Sequence, residues 1–232
     1  MNMSFTRGFF VTGTDTDIGK TYVARLLADC FSTTGKTTYM KPVQTGCTRE
    51  PTGELRAPDF DYVMCGTSRM NGTYEQHVPY RFEPACSPHL AASIAGEPID
   101  LDIIKSCYTA VSGGMATVIV EGAGGILAPL SETRYLLDLI IYMHLPVLLV
   151  TTPRLGTLNH TFLTLRTLQE SGTTLAGIVF NNCTNESLSY IYHENHRMIR
   201  SRAPAVPFLE VPFAAPDHHT VKEFCDAINQ LL

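Results

Sequence analysis

The strongest constraint on the fold is a series of short apolar segments, each meeting glycine, proline or asparagine at or near its end. They are GFFVTG (8–13), TTYMKPV (37–43), ATVIVEGAGG (116–125), PVLLVTTP (146–153), TLAGIVFNN (174–182) and AVPFLEVP (205–212). Amphipathic stretches separate most of them. Strands that are apolar on both faces and alternate with helices are typical of a parallel sheet covered by helices on both sides. We therefore predict an α/β fold with a doubly wound, mainly parallel sheet.

The stretches between the predicted strands have helical spacing. They are GKTYVARLLADCFSTTG, SPHLAASIAGEPIDLDIIKSCYTAVSGG, RYLLDLIIYMH, LNHTFLTLRTLQESG and ESLSYIYHENHRMIRSR. We find no internal repeat, no low-complexity segment and no linker long enough to divide the chain. A chain of 232 residues is long enough for one well-buried domain. We predict that residues 1–232 form a single domain.

Composition and charge exclude two classes of partner. The formal net charge is −5, and Lys and Arg are scattered rather than clustered. Nucleic acids and anionic membranes attract basic patches, so we expect neither as a partner. The most apolar later stretch, LLDLIIYMHLPVLLV, is interrupted by Asp138, His144 and Pro146. This pattern favours a helix, a turn and a buried strand over a membrane span.

Cysteine usage and the N-terminal segment indicate the compartment. The seven cysteines are dispersed and form no C-x-x-C pair. The first residues, MNMSFTRGFFVTG, contain too short an apolar run for a secretory signal. Reduced thiols are typical of a reducing compartment, so we expect a cytoplasmic protein.

The segment GTDTDIGKT (13–21) resembles a phosphate-binding loop with an irregular start. The usual pattern is G-x-x-x-x-G-K-[ST], but here Thr14 occupies the position of the first glycine. The loop follows a predicted strand and opens a predicted helix, which favours a nucleotide site over a glycine turn with a chance Lys-Thr pair. In such a loop Lys20 neutralises phosphate oxygens and the Thr21 hydroxyl is a magnesium ligand.

A carboxylate is predicted at the end of another strand. Glu121 ends the apolar part of ATVIVEGAGG, and glycines follow it at 122, 124 and 125. Proteins with a phosphate-binding loop hold or orient their metal with an acid in this position. The alternative is a surface glutamate that begins a turn.

The motifs GTDTDIGKT, YMKPVQTG, SPHLAA, VEGAGG, LGTLNH and VFNN occur in this order, and together they resemble the dethiobiotin synthetase family over nearly the whole chain. The resemblance implies an enzyme that closes a cyclic urea from 7,8-diaminononanoate, carbon dioxide and ATP with Mg²⁺. It implies a carbamate on one amine and then a mixed carbamic–phosphoric anhydride. The second amine attacks the anhydride and expels phosphate. It also implies a homodimer.

The same resemblance implies roles for individual residues. Lys41 resembles the catalytic lysine and acts with Lys20, although lysine before proline at a strand end would by itself indicate a solvated side chain. The metal ligands implied are Thr21, Glu121 and Asp59, with Asp61 as the alternative to Asp59. The implied nucleotide contacts are Asp17, Ile18, Gly19, Lys20, Thr21, Tyr22, Asp59, Glu121, Gly122, Ala123, Gly124, Asn181, Asn182, Pro212, Phe213 and Ala214. The implied substrate contacts are Thr16, Thr45, Gly156, Thr157, Leu158 and Asn159.

The last four of these residues lie where a helix is expected to begin. A helical pattern starts at Leu158, so the preceding turn would expose free N–H groups that attract an anion. Thr157 or Asn159 could cap that helix. The resemblance implies that the turn receives the tail carboxylate of the diamine from the neighbouring subunit.

The acidic residues of the loop are unusual beside phosphate. We hypothesise that metal, two lysines and a diamine substrate make the cleft cationic enough to hold Asp15 and Asp17. These acids would orient Lys20 or Lys41, or receive the ammonium form of the substrate. The His193–His196 pair is better explained by a polar helix face than by a metal site, since a third ligand is missing.

Two other functions remain as alternatives. The first is the synthetase domain of a cobyrinate-type amidotransferase, which needs a glutaminase portion. The second is a partitioning or regulatory ATPase that switches a partner or membrane surface. Such ATPases tend to carry an additional lysine early in the phosphate-binding loop, where this chain has Thr14 and Asp15.

Overall fold

The computed structural model describes residues 7–65, 70–187, 189–214 and 216–231, and its central feature is a six-stranded parallel sheet. Its strands lie in the order β10-β9-β8-β1-β7-β2. All five pairings in this sheet are parallel. The strands are β1 (Arg7–Gly13), β2 (Thr37–Met40), β3 (Val43–Gln44), β4 (Thr48–Arg49), β5 (Leu55–Arg56), β6 (Tyr80–Arg81), β7 (Thr117–Gly125), β8 (Val147–Thr151), β9 (Leu175–Asn181) and β10 (Phe208–Val211).

Helices cover both faces of this sheet, which confirms the predicted doubly wound α/β fold. They are α1 (Lys20–Ser32), α2 (Pro58–Met64), α3 (Tyr74–His77), α4 (Pro88–Ala95), α5 (Leu101–Ser112), α6 (Leu136–Met143), α7 (Thr157–Glu170), α8 (Tyr190–Arg202) and α9 (His218–Leu231). Residues of α1, α2 and α9 share one core cluster with alternate strand residues. The intervening strand residues pack with α4 to α8 on the opposite face.

Alternation along the strands explains why the predicted segments are apolar throughout. Phe9 and Val11 of β1 belong to the core beneath α1, whereas Phe10 belongs to the core on the other face. All three side chains are fully buried. Because each face of the sheet is covered, every position of a central strand gains free energy from an apolar side chain, at roughly 25 cal/mol per Å² buried.

The segment between β2 and β7 contains small elements that the sequence did not indicate. TTYMKPV was predicted as one strand, but β2 ends at Met40 and β3 begins only at Val43. Pro42 cannot donate to a sheet ladder, which explains the break. The predicted loop that follows holds a two-residue antiparallel pairing of β4 with β5, and β3 pairs with β6 in a second small sheet.

Two short helices in this segment begin with recognisable signals. Helix α2 has Pro58 in its first turn, a position where the missing N–H costs nothing. Helix α3 begins with a capping box formed by Thr73 and Gln76. In the part of the chain that is described, no helix has the length and apolar character needed to cross a membrane.

Candidate active site

The phosphate-binding loop connects the central strand β1 to helix α1. Asp17 and Gly19 both have left-handed backbone conformations, with φ of 53° and 82°. A Cβ on Gly19 would lie 2.2 Å from the side-chain nitrogen of Asn181, so glycine is required at this position. That Asn181 nitrogen donates to the Ile18 carbonyl at 2.8 Å. The end of β9 therefore supports the loop from behind.

Lys20 begins helix α1 and turns back over the loop. Its Nζ donates to the Asp15 carbonyl at 2.6 Å, and its side chain is buried. Burial, and then the positive charge of Lys41, lower the pKa of Lys20 from its usual 10.5 to about 8. The ammonium form therefore predominates at neutral pH and is lost over a mildly alkaline range.

Lys41 is the residue after β2, and it lies between two carboxylates, Glu121 of strand β7 and Asp59 of helix α2. Its Nζ is 2.7 Å from Glu121 Oε1 and 2.6 Å from Asp59 Oδ2. Lys41 is 3% exposed and Glu121 is 1% exposed, so this is a buried ion pair and not a solvated lysine. Burial alone would lower the pKa of Lys41, but the charges of Glu121 and Asp59 outweigh burial and raise that pKa.

Strand register brings Lys41 and Glu121 together. Tyr39 of β2 pairs with Ile119 of β7, and both belong to the core beneath α1. Because side chains alternate along a strand, the positions two residues further on lie over the same face. Glu121 also accepts hydrogen bonds from Thr21 Oγ1 at 2.9 Å on Oε1 and from the Tyr39 hydroxyl at 2.8 Å on Oε2.

The oxygen ligands near this cluster fit a magnesium ion. Thr21, Asp59 and Glu121 offer the hydroxyl and carboxylate oxygens that Mg²⁺ prefers. Within the described ranges, no group of three or more His, Cys, Asp or Glu residues could hold a metal. Phosphate oxygens of a bound nucleotide would have to supply further ligands, as is usual for Mg²⁺ in nucleotide sites.

Asp59 and Asp61 are separated clearly by their contacts. Asp59 contacts Lys41, whereas Asp61 contacts Arg56 at 3.2 Å and accepts from the Tyr74 hydroxyl at 3.3 Å. Their positions in the first turn of α2 point them to different neighbours. The geometry therefore groups Asp59, and not Asp61, with Lys41 and Glu121.

Two adjoining cavities open beside the loop. The first, of about 480 Å³, contains the ionic cluster and is lined by Thr16, Asp17, Gly19, Lys20, Thr21, Lys41, Val43, Gln44, Thr45, Asp59, Glu121, Ala123, Gly124 and Cys183. The second, of about 540 Å³, shares Thr16, Thr45, Ala123 and Gly124 with it. The second cavity extends to His160, Leu163, Thr164 and Thr167 of α7. Thr16 and Thr45 thus lie where the two cavities meet.

Comparison with known proteins identifies the family. A family model described as an AAA domain matches residues 7–216. An ATP-dependent dethiobiotin synthetase BioD from Aeromonas salmonicida is 39% identical over 210 residues, covering 89% of this chain and 91% of that protein. A protein of the same name from Fusobacterium nucleatum is 40% identical over 178 residues, covering 76% and 79%. The chain belongs to the dethiobiotin synthetase family.

Solved structures with much lower sequence identity share the fold of this chain. The cell division ATPase MinD of Pyrococcus furiosus superposes with a TM-score of 0.58 at 14% identity, covering 98% of this chain and 100% of that chain. A chain of the MinC:MinD cell division protein complex of Aquifex aeolicus gives a TM-score of 0.59 at 11% identity, covering 97% of this chain and 96% of that chain. Similarity at this level shows a shared fold and carries nothing about function.

Several residues expected to contact nucleotide in dethiobiotin synthetases have structural contacts here. Ile18 is fully buried in the core, and Tyr22 packs half-buried against the same core. A Cβ on Gly122 would lie 2.7 Å from Leu136 and 2.9 Å from Phe10, which makes it a packing glycine. None of these three lines either cavity.

The residues expected near the base lie at the ends of β9 and β10. The Asn182 side chain donates to the Glu186 carbonyl at 2.9 Å and accepts from the Glu186 N–H at 2.7 Å, and so holds the loop after β9. Its backbone N–H donates to the Val211 carbonyl. Pro212, Phe213 and Ala214 are exposed beyond β10. Their contact with a base stays a prediction.

The prediction that Thr157 or Asn159 caps helix α7 is wrong. The helix begins at Thr157, with Gly156 as N-cap at φ 92° and no side-chain cap. The Thr157 hydroxyl is buried and contacts the Thr151 hydroxyl at 2.9 Å, so it is drawn toward β8 instead of the helix end. Leu158 packs partly buried beside β9. The first-turn N–H groups of Leu158 and Asn159 still lack the i−4 carbonyls of a helix interior.

Sequence reasoning missed Gln44, Cys183 and the α7 residues that line the cavities. The spacing of His160, Leu163, Thr164 and Thr167 places them on one face of α7, a signal that was available. Gln44 adjoins the predicted Thr45 but is buried, and its Oε1 has no hydrogen-bond partner among the described residues. No spacing rule indicates such a residue.

The lowered pKa of Lys20 predicts a pH-dependent affinity for nucleotide. In the absence of metal, ADP should bind with nearly constant affinity between pH 7 and 8. Above pH 8 the free protein holds a neutral Lys20, and affinity should fall by up to about tenfold per pH unit because binding phosphate requires a proton. Isothermal titration in EDTA measures this profile. In Lys20→Arg, whose guanidinium stays protonated, the affinity for ADP should not fall above pH 8. If it still falls in that variant, a group other than Lys20 causes the pH dependence.

Proposed function

We propose that this chain closes the ureido ring of dethiobiotin from 7,8-diaminononanoate, CO2 and ATP in a reaction that requires Mg²⁺. The observation that carries the proposal is the buried Lys41 ammonium, held between Glu121 and Asp59 beside the phosphate-binding loop. This arrangement, in a member of an ATP-dependent ligase family, suits the joining of two anions. The protein needs no nucleophile of its own, because the carbamate of the substrate serves as one.

The first cavity would hold the triphosphate of ATP. Backbone N–H groups at the start of α1 and the Lys20 ammonium would face the phosphate oxygens. Thr21, Asp59 and Glu121 would hold Mg²⁺, which when bound neutralises charge on the phosphates. The Lys41 ammonium lines the same cavity beside these acids. It would stabilise negative charge on a transferring phosphoryl group.

The reaction we propose has three bond-forming steps. One amine of the substrate takes up CO2 and loses a proton, which gives a carbamate. A carbamate oxygen attacks the γ-phosphorus, so that a mixed carbamic–phosphoric anhydride forms and ADP leaves. The second amine attacks the carbamoyl carbon and loses a proton, and inorganic phosphate leaves as the ring closes. The task of Lys20 and Lys41 is to hold both anions together while charge spreads over the phosphoryl group.

The second cavity would hold the aliphatic part of the diamine. It meets the first cavity at Thr16 and Thr45 and is lined further out by Ile126, Leu127 and Leu163. An apolar wall of this kind suits a methylene chain. The amines would then lie at the junction of the cavities, near the acids Asp15 and Asp17 of the loop. We propose that these acids receive an ammonium form of the substrate.

The tail carboxylate would bind the start of helix α7 in a neighbouring subunit. The turn from Gly156 to Asn159 lines neither cavity of its own chain. Large apolar side chains near it and at the rim of the second cavity are solvent-exposed, namely Leu127, Leu155 and Leu163. A homodimer would cover them and bring the turn of one subunit to the cavity of the other. We also propose a cytoplasmic location, which fits seven free thiols.

A turnover assay separates this function from the two alternatives. We expect dethiobiotin, detected by mass spectrometry, when diaminononanoate, bicarbonate, ATP and Mg²⁺ are supplied. A cobyrinate-type amidotransferase domain would instead consume ammonia or glutamine-derived nitrogen with a larger acid. A partitioning ATPase would hydrolyse ATP without the diamine and respond to a partner surface. Absence of dethiobiotin under these conditions would refute the proposal.

Replacing each lysine should abolish dethiobiotin formation by a different route. Lys20→Ala should weaken ATP binding as well as turnover. Lys41→Ala should mainly lower kcat, by about 10²- to 10³-fold, if it acts as a preorganised charge at the transition state. Steady-state kinetics and nucleotide titration measure both effects. Near-normal kcat in Lys41→Ala would show that its catalytic role is wrong.

The shared site predicts complementation between two impaired variants. Leu158→Pro removes one N–H donor and should raise KM for the diamine with little change in nucleotide affinity. Leu158→Ala is the matched control, because it shortens the same side chain and keeps the N–H. Mixing Leu158→Pro with Lys20→Ala subunits should restore activity, since one site of each heterodimer is built from unchanged parts. Subunit exchange proven by native mass spectrometry without recovery would contradict binding across the interface.

A further inference from the structure

Tyr39 lies directly behind the ionic cluster and is completely buried. Its hydroxyl donates to Glu121 Oε2 at 2.8 Å, while Glu121 Oε1 accepts from Thr21 and Lys41. The two carboxylate oxygens therefore have different partners. The tyrosine contacts one oxygen, and the loop threonine and the lysine contact the other.

The ring of Tyr39 is fixed from several sides. Tyr39 pairs with Ile119 in the β2–β7 ladder. The backbone carbonyl of Tyr39 contacts a ring nitrogen of the buried His77. The phenol ring packs against Phe60, with ring centroids 6.1 Å apart. A buried hydroxyl pays a desolvation cost unless it is hydrogen-bonded, so this phenol depends on Glu121 for its partner.

The two acids of the cluster are held differently. Asp59 differs from Glu121, because its side chain is 30% exposed and its contact with the cluster is the ion pair with Lys41. Of the two acids, Glu121 is the one that a buried tyrosine also contacts, through the oxygen that Lys41 does not contact.

We propose that Tyr39 is a positioning residue of this active site, which acts through Glu121 by fixing the orientation of the carboxylate that would hold Mg²⁺. The role of Tyr39 in catalysis rests on the proposed function. The hydrogen bond itself predicts a tighter metal site whatever the reaction, because groups that orient a ligating carboxylate typically contribute 10- to 100-fold to metal affinity. The competing explanation is that Tyr39 is only a core aromatic.

Tyr192 offers a matched control. It is also a buried tyrosine, and its hydroxyl donates to a carboxylate, that of Glu210, at 2.7 Å. It lies in helix α8 and lines neither cavity. Tyr39→Phe and Tyr192→Phe therefore remove the same atom from the same type of bond, one beside the cluster and one away from it.

The test measures Mn²⁺ binding by electron paramagnetic resonance in the presence of a non-hydrolysable ATP analogue. We expect Tyr39→Phe to raise the Kd for Mn²⁺ by about tenfold or more, with the metal-free Kd for the analogue within about twofold of the wild type. Tyr192→Phe should leave both constants unchanged. A wild-type Kd for Mn²⁺ in Tyr39→Phe would overturn the proposal, as would an equal loss in both variants.

A double-mutant cycle tests whether Tyr39 acts through Glu121. In a Glu121→Gln background, Tyr39→Phe should cause little further loss of Mn²⁺ affinity, because the carboxylate that Tyr39 orients has already been removed. Fully additive losses would show that Tyr39 acts by another route. Thermal unfolding of each variant, read with and without metal, separates loss of folded protein from loss of binding. If no dethiobiotin formed at all, the binding result would stand and only the proposed function would fail.

Discussion

The structure of the site depends on one buried ammonium group. Lys41 is nearly fully enclosed and contacts two carboxylates, Glu121 and Asp59, at 2.7 and 2.6 Å. An unpaired buried charge costs several kcal/mol, and a buried pair contributes little net stability. The cluster is therefore better explained as a device for holding a charge in place than as a source of folding free energy. A preorganised charge of this kind has its largest effect on developing negative charge in a water-poor cleft.

The register of three parallel strands positions this cluster. Lys20 and Thr21 begin helix α1 after the β1 loop, Glu121 lies in the middle of β7, and Lys41 is the residue after β2. Because side chains alternate along a strand, a slip of one residue between β2 and β7 would move Lys41 or Glu121 to the opposite face. The apolar interiors of these strands fix that register, so the core and the site have a common cause.

The sequence predicted most of this arrangement because the features involved are local. A strand buried on both faces is recognisable from its composition, the GKT of the loop follows one predicted strand, and the glutamate of VEGAGG ends the apolar part of another. What it missed depends on contacts between distant residues. Thr157 does not cap α7 because Thr151, on another element, bonds its hydroxyl. Likewise, Tyr39 reads as a core aromatic until Glu121 is seen beside it. The choice between Asp59 and Asp61 required the position of helix α2, which the sequence did not indicate.

The central claim is that the cluster joins a substrate carbamate to the γ-phosphoryl group of ATP. The most direct measurement follows oxygen from bicarbonate labelled with ¹⁸O, under rapid quench so that exchange with water is small. If a carbamate oxygen attacks the γ-phosphorus, each inorganic phosphate released with dethiobiotin should carry one labelled oxygen. Phosphate that carries no label while dethiobiotin forms would show that its fourth oxygen comes from water, and would contradict the account.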